Sequence, residues 1–128
     1  MDWLDACRDA AESDNWIEVA YIAREILDRQ PNHVLALAIL GESFMAQHDY
    51  KKAEAALKQA LAISPAHLDS LVILATLYDR QGRRAEVEQI HDMLLCINPE
   101  VARQLHNAYL AHPVPITGRL GSIPISSK

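Results

Sequence analysis

Three prolines recur at one interval in this chain. Pro31, Pro65 and Pro99 each follow the last by 34 residues. That spacing is the period of a repeat built from two helices and a turn, a unit that buries its apolar face only by stacking on its neighbours. Laid out in rows of 34, the chain gives columns of like residues. Trp3, Leu37 and Leu71 align, then Ala6, Leu40 and Leu74, then Cys7, Gly41 and Ala75, then Ala10, Phe44 and Tyr78. The second half of each row aligns Val19, Ala53 and Val87; Ala23, Leu57 and His91; Ile26, Ala60 and Leu94; and Leu27, Leu61 and Leu95.

Steps of three, four and seven put these columns on one helical face. The Cys7, Gly41, Ala75 column is small, so the two helices of a row can approach closely. The prolines stop one helix and can start the next, since a first helical turn does not need the missing amide donor. Asn98-Pro99-Glu100 reads as a cap, a first-turn proline and an acid at the positive helix end. Asp14-Asn15, His48-Asp49 and Gly82-Arg83 mark the turn inside each row. Helices are predicted at 2–12, 15–29, 33–46, 50–63, 67–80, 84–97 and 100–111. The seventh carries Val101, Leu105, Ala108 and Tyr109 on one stripe. Tyr109 stands where Gly41 and Ala75 stand in their rows, so its ring is expected to block a further helix and end the array.

These residues resemble the tetratricopeptide repeat family: Trp3, the Leu40-Gly41 pair, Phe44, Tyr78, Ala53, Ala60 and the three prolines. The resemblance covers residues 1–101. It implies an all-α, right-handed α-solenoid of three repeats, about 1–33, 34–67 and 68–101, with a capping helix over about 100–111. It also implies a non-catalytic protein-binding module, an adaptor or chaperone. The family's groove-facing places correspond here to Leu4, Asp5, Arg8 and Glu12 in the first repeat. In the second they are Leu35, Ala38, Ile39, Glu42, Met45 and Ala46, and in the third Asp69, Val72, Ile73, Thr76, Asp79 and Arg80. Arg103, His106 and Leu110 come next on the capping helix.

One subset of the family clamps the terminal carboxylate of chaperone peptides with lysines, asparagines and an arginine. Leu4, Arg8, Ile39, Asp69 and Ile73 hold those places here. One is basic, one acidic and three apolar, so the donors that carboxylate recognition needs are missing. What remains is an apolar strip of Leu4, Leu35, Ala38, Ile39, Met45, Val72 and Ile73, edged by Arg8, Glu42, Thr76, Asp79 and Arg80. A patch of that kind reads as an interaction site for a protein or peptide with apolar residues; the alternative is that tighter packing makes part of it core. Bacterial type III secretion chaperones offer a similar size and groove character.

The formal net charge of −5 argues against nucleic acid, whose phosphates call for a basic stripe. Charge is uneven: residues 1–33 carry a net −5 and residues 102–128 a net +3. The start of the chain has no basic stretch followed by an apolar run, and the longest run free of charge and proline, Asn32 to Gly41 with histidine neutral, is far short of a membrane span. A cytoplasmic protein with no membrane insertion is expected. Six histidines give no i, i+4 pair of the kind a helical metal site uses, and Cys7 and Cys96 match no metal or redox spacing. No glycine-rich phosphate loop and no cluster of acid, base and nucleophile occur, so no cofactor, no metal and no enzymatic activity are expected. Trp16 is read as packing between helices and His91 as a packed ring. Residues 112–128 break every helical pattern with three prolines, two glycines and three serines, yet keep Val114, Ile116, Leu120, Ile123 and Ile125. They are read either as a loose end or as a segment that docks in a groove, its own or a neighbour's, which leaves open a self-associating structural subunit.

Overall fold

A computed structural model describes residues 2–111, with the side chains of 108–111 outside the described set. The predicted contacts of Tyr109, the place of Leu110 and the reading of the tail at 112–128 all lie outside the described residues. Seven helices run in order among the described residues: α1 (Trp3–Glu12), α2 (Trp16–Arg29), α3 (Val34–Ala46), α4 (Tyr50–Ile63), α5 (Leu68–Arg80), α6 (Arg84–Ile97) and α7 (Pro99–Ala111). No helix among them is long and apolar enough to cross a membrane. The chain divides into two compact units within α5, the first ending at Leu74 and the second beginning at Ala75.

The three turns predicted inside the rows share one backbone device. Asp14, His48 and Gly82 all have left-handed φ, at 58°, 64° and 72°. Each follows the same hydrogen-bond pattern. The Asp14 and Asn15 amides donate to the Ala11 and Ala10 carbonyls at 3.0 and 2.8 Å; His48 and Asp49 donate to Met45 and Phe44 at 3.0 and 2.9 Å; Gly82 and Arg83 donate to Asp79 and Tyr78 at 3.0 and 2.9 Å. This pairing closes the end of a helix by satisfying carbonyls that have no partner in the next turn. The following residue caps the next helix in two rows: Asn15 Oδ1 accepts the Glu18 amide and Asp49 Oδ1 the Lys52 amide, both at 3.3 Å.

The prolines behave differently from one another. Pro31 and Pro65 sit in turns before α3 and α5, and only Pro99 opens a helix. The cap explains the difference. His33 Nδ1 accepts the Ala36 amide at 3.2 Å, and His67 Nδ1 accepts the Ser70 amide at 3.3 Å, so α3 and α5 start two residues beyond the proline's neighbour. In the third row Val101 stands where those histidines stand and cannot cap. Asn98 Oδ1 instead accepts the Val101 amide at 3.2 Å, and the helix begins at once with Pro99. His33 and His67 are therefore helix caps.

In the first unit α1 packs on α2, α2 on α3 and α3 on α4. The core contains Cys7, Val19, Ala23, Leu37, Ala53, Leu57, Ala60, Leu71 and Leu74, all of them from the predicted columns. The small column does what its size suggests. A Cβ built on Gly41 would lie 2.7 Å from Leu57 Cγ and 3.3 Å from the Ala53 carbonyl oxygen, so α3 and α4 meet at a distance that only glycine permits. Phe44 is half-buried with two cations over its ring, Arg24 at 5.2 Å and Lys52 at 5.7 Å. Trp3 is half-buried rather than fully core, edge-on to the His33 ring at 5.4 Å.

In the second unit α6 packs on α7. Tyr78, Val87, Ile90, Leu94 and Ala102 are buried, and the Arg83 guanidinium lies 4.3 Å from the centre of the Tyr78 ring. Leu95, predicted on the apolar face, is 45% exposed. The buried stripe of α6 steps from Val87 to Ile90 to Leu94, and Leu95 lies about a further 100° round the helix. The His91 ring is half-buried and packs on the His106 ring at 5.4 Å.

Candidate functional site

The first unit leaves two open depressions that share a border. The first, about 340 Å³, is lined by Leu35, Ala38, Ile39 and Glu42 of α3 and by Asp69, Val72 and Ile73 of α5. The second, about 280 Å³, is lined by Leu4, Cys7, Arg8 and Ala11 of α1, Trp16 and Val19 of α2, and again Ile39 and Glu42. Helix α3 stands between them because its sequence is apolar almost all round. It buries Leu37 and Gly41 with its neighbours and still has Leu35 and Ile39 half-buried on the open side.

Eight of the twelve predicted groove residues line these depressions: Leu4, Arg8, Leu35, Ala38, Ile39, Glu42, Val72 and Ile73. Ala38 does so from beneath, at 1% exposure. Met45 is buried at 7% exposure and packs as core, so it supplies no adaptable surface. It stands about two turns beyond Ala38, between the half-buried Phe44 and Ala46. Thr76, Asp79 and Arg80 fall in the second unit and line neither depression. Met45 and Ala38 are buried, while Leu4, Leu35, Ile39, Val72 and Ile73 are half-buried.

For Trp16 the sequence favours packing between helices over contact with a partner. The ring is half-buried and also lines the second depression. Its place at the start of α2, two residues past the left-handed turn at Asp14, carries it to the border of α1, a consequence of turn geometry that the 34-residue columns do not encode. Cys7 is buried, as its column implies, and burial pushes its thiol pKa up, with Glu18 adding to the shift. A thiol held protonated in this way is a poor nucleophile.

The electrostatics of the site centre on Glu42. Burial raises its carboxyl pKa above the ordinary value, and the Asp69 carboxylate raises it further. Arg8 is engaged elsewhere: its guanidinium holds Asp5 at 2.9 Å on the exposed side of α1. Apolar walls with one perturbed acid suit the burial of side chains from another molecule. Among the described residues no three His, Cys, Asp or Glu side chains come together as a metal site would require.

Helices packed in sequence, repeated turns and an apolar face along alternate helices define a helical repeat protein. Residues 44–109 match the tetratricopeptide repeat, and a second tetratricopeptide repeat signature matches residues 19–67. The chain belongs to the tetratricopeptide repeat family, whose domains are in general protein–protein interaction modules. Comparison with curated proteins gives no match.

Proposed function

We propose that this chain is a non-catalytic adaptor or chaperone of the cytoplasm that takes an apolar peptide or helix on the face formed by α1, α3 and α5. The observation that carries the reading is Ile39, a half-buried aliphatic side chain common to both depressions. Burying a large aliphatic side chain is worth about 1.5–3 kcal/mol, and four or five such contacts, less the cost of ordering the partner, correspond to binding in the micromolar range. The test is Ile39→Glu. Partner binding should be lost while helicity and melting stay near wild type; a variant that unfolds would make Ile39 core and remove the site.

Self-association through the tail is the second reading. It rests on the aliphatic residues within 112–128, which lie outside the described residues. Light scattering over a range of concentrations decides it, since a monomer throughout rules it out.

A further inference from the structure

The apolar walls of the two depressions do not account for the charge at their shared border. Glu42 lines both depressions, and Asp69 lines the first from α5. Their carboxylates are close enough for Asp69 to disfavour the charge on Glu42. Among the described residues neither carboxylate has an ion pair or a hydrogen bond. Arg8, the cation that lines the second depression, is turned to Asp5 at 2.9 Å. A partner with acidic side chains at this border would add a third negative charge to the pair. A purely aliphatic partner would strip water from Glu42 and give nothing back.

We propose that the partner of this face is an apolar segment carrying a lysine or arginine, whose cation sits at Glu42 and Asp69 while its aliphatic neighbours fill the depressions around Ile39, Val72 and Ile73. The inference rests on the groove reading above and adds the partner's chemistry. A basic side chain suits the place because its methylene stem can lie on Ile39 and Ile73 while its head reaches the carboxylates. The cation replaces the water that binding removes and relieves the repulsion between the two acids. Residues 1–33, which carry a net −5, add a longer-range field of the same sign that would speed the approach of a basic partner.

The probe is a random-peptide library displayed on phage, selected on the full chain, on Ile39→Glu and on the double variant Glu42→Gln with Asp69→Asn. Circular dichroism checks that each variant is folded. The wild type should enrich peptides in which a lysine or arginine is flanked by aliphatic residues. The double variant should keep the aliphatic preference and lose the basic one. The best wild-type peptide should bind the double variant about tenfold more weakly, and its form with glutamine in place of the basic residue should bind both proteins alike. Aliphatic enrichment with no basic preference would overturn the inference and leave the groove standing. So would a basic preference that survives in the double variant. Enrichment that Ile39→Glu does not remove would sink the groove and the inference together. Competition by a peptide of residues 113–125, which carries Arg119 between Ile116 and Leu120, would give the face to the chain's own tail and overturn the assignment to a separate partner.

Discussion

Replacing Gly41 by alanine puts one methyl group where α3 and α4 leave no room for it. Carbon atoms in contact settle about 3.5–4.0 Å apart. The new Cβ would stand 2.7 Å from Leu57 Cγ, 3.0 Å from Leu57 Cδ2 and 3.3 Å from the Ala53 carbonyl oxygen. Leu57 Cγ is a branch point, so turning the end of the side chain does not move it away, and the residue is fully buried with nowhere to retreat. Overpacking of this kind costs about 1–3 kcal/mol. Alanine returns about 1 kcal/mol through its better helix propensity. Gly41→Ala should therefore destabilise by only about 0–2 kcal/mol net, a value too small to interpret alone. A double-mutant cycle with Leu57→Ala removes the ambiguity. Leu57→Ala by itself should cost about 2–5 kcal/mol through the cavity it leaves. In the double variant both contacts with the Leu57 side-chain end are gone and only the 3.3 Å approach to the Ala53 carbonyl oxygen remains, so most of the overpacking vanishes while the propensity gain remains. The double variant should exceed the stability expected from the two single variants by about 1–3 kcal/mol. Urea unfolding followed by helical circular dichroism and by the fluorescence of Trp3 and Trp16 measures it, with an unchanged slope as the check that all four proteins unfold alike. Additivity within about 0.5 kcal/mol would refute the close approach of α3 and α4 through Gly41.

Gly82→Ala tests the left-handed turns, because its new Cβ would meet no atom within 4 Å and φ is 72°. The strain of about 1–2 kcal/mol, less about 0.4–1 kcal/mol for the stiffer unfolded chain, should lower stability by roughly 0–1.6 kcal/mol in urea titrations; a gain in stability would argue against that backbone conformation. Phe44→Leu should cost about 1–2 kcal/mol by the same assay, from the loss of two cation contacts at about 0.5–1 kcal/mol each, and adding Arg24→Gln to that variant should cost less than adding it to wild type. Glu42→Gln should change the pH dependence of stability. A carboxyl whose pKa is higher in the folded chain binds a proton there before it does in the unfolded chain, so stability falls as pH rises through the interval between the two values. Arg8 from α1 and Asp69 from α5 are the charged groups that share the site with it. Thermal melts should therefore show Glu42→Gln above wild type at about pH 7, with the two converging once the pH falls below the ordinary carboxylate range; a wild type as stable as the variant at neutral pH would mean that Glu42 is not strained.

Much of the fold was legible because a repeat states its pattern three times. The small column through Cys7, Gly41 and Ala75 and the turns at Asp14, His48 and Gly82 each recur at one spacing, and a single helix pair accounts for all three. What the rows concealed was local departure from the period. Pro99 opens α7 where Pro31 and Pro65 precede their helices by three residues, because a cap at Asn98 replaces the caps at His33 and His67. Leu4, Leu35, Ile39, Val72 and Ile73, places given by the family resemblance rather than by the rows, lined the two depressions. Met45 did not, because a helix as apolar as α3 leaves no polar side to show which of its residues are enclosed. The pairing of Glu42 with Asp69 comes from how α3 meets the start of α5, a tertiary contact without a signature in either helix.

The face around Ile39 is proposed as the place where a partner binds. Affinity capture from cells, quantified for wild type, Ile39→Glu and Ile17→Glu in parallel, addresses it most directly. Ile17 is 74% exposed on α2 and lines neither depression, so it controls for the introduced charge. Proteins held by the wild type and by Ile17→Glu but absent from a folded Ile39→Glu are the predicted result. Partners retained by Ile39→Glu, or lost equally from Ile17→Glu, would mean that the face around Ile39 does not bind them.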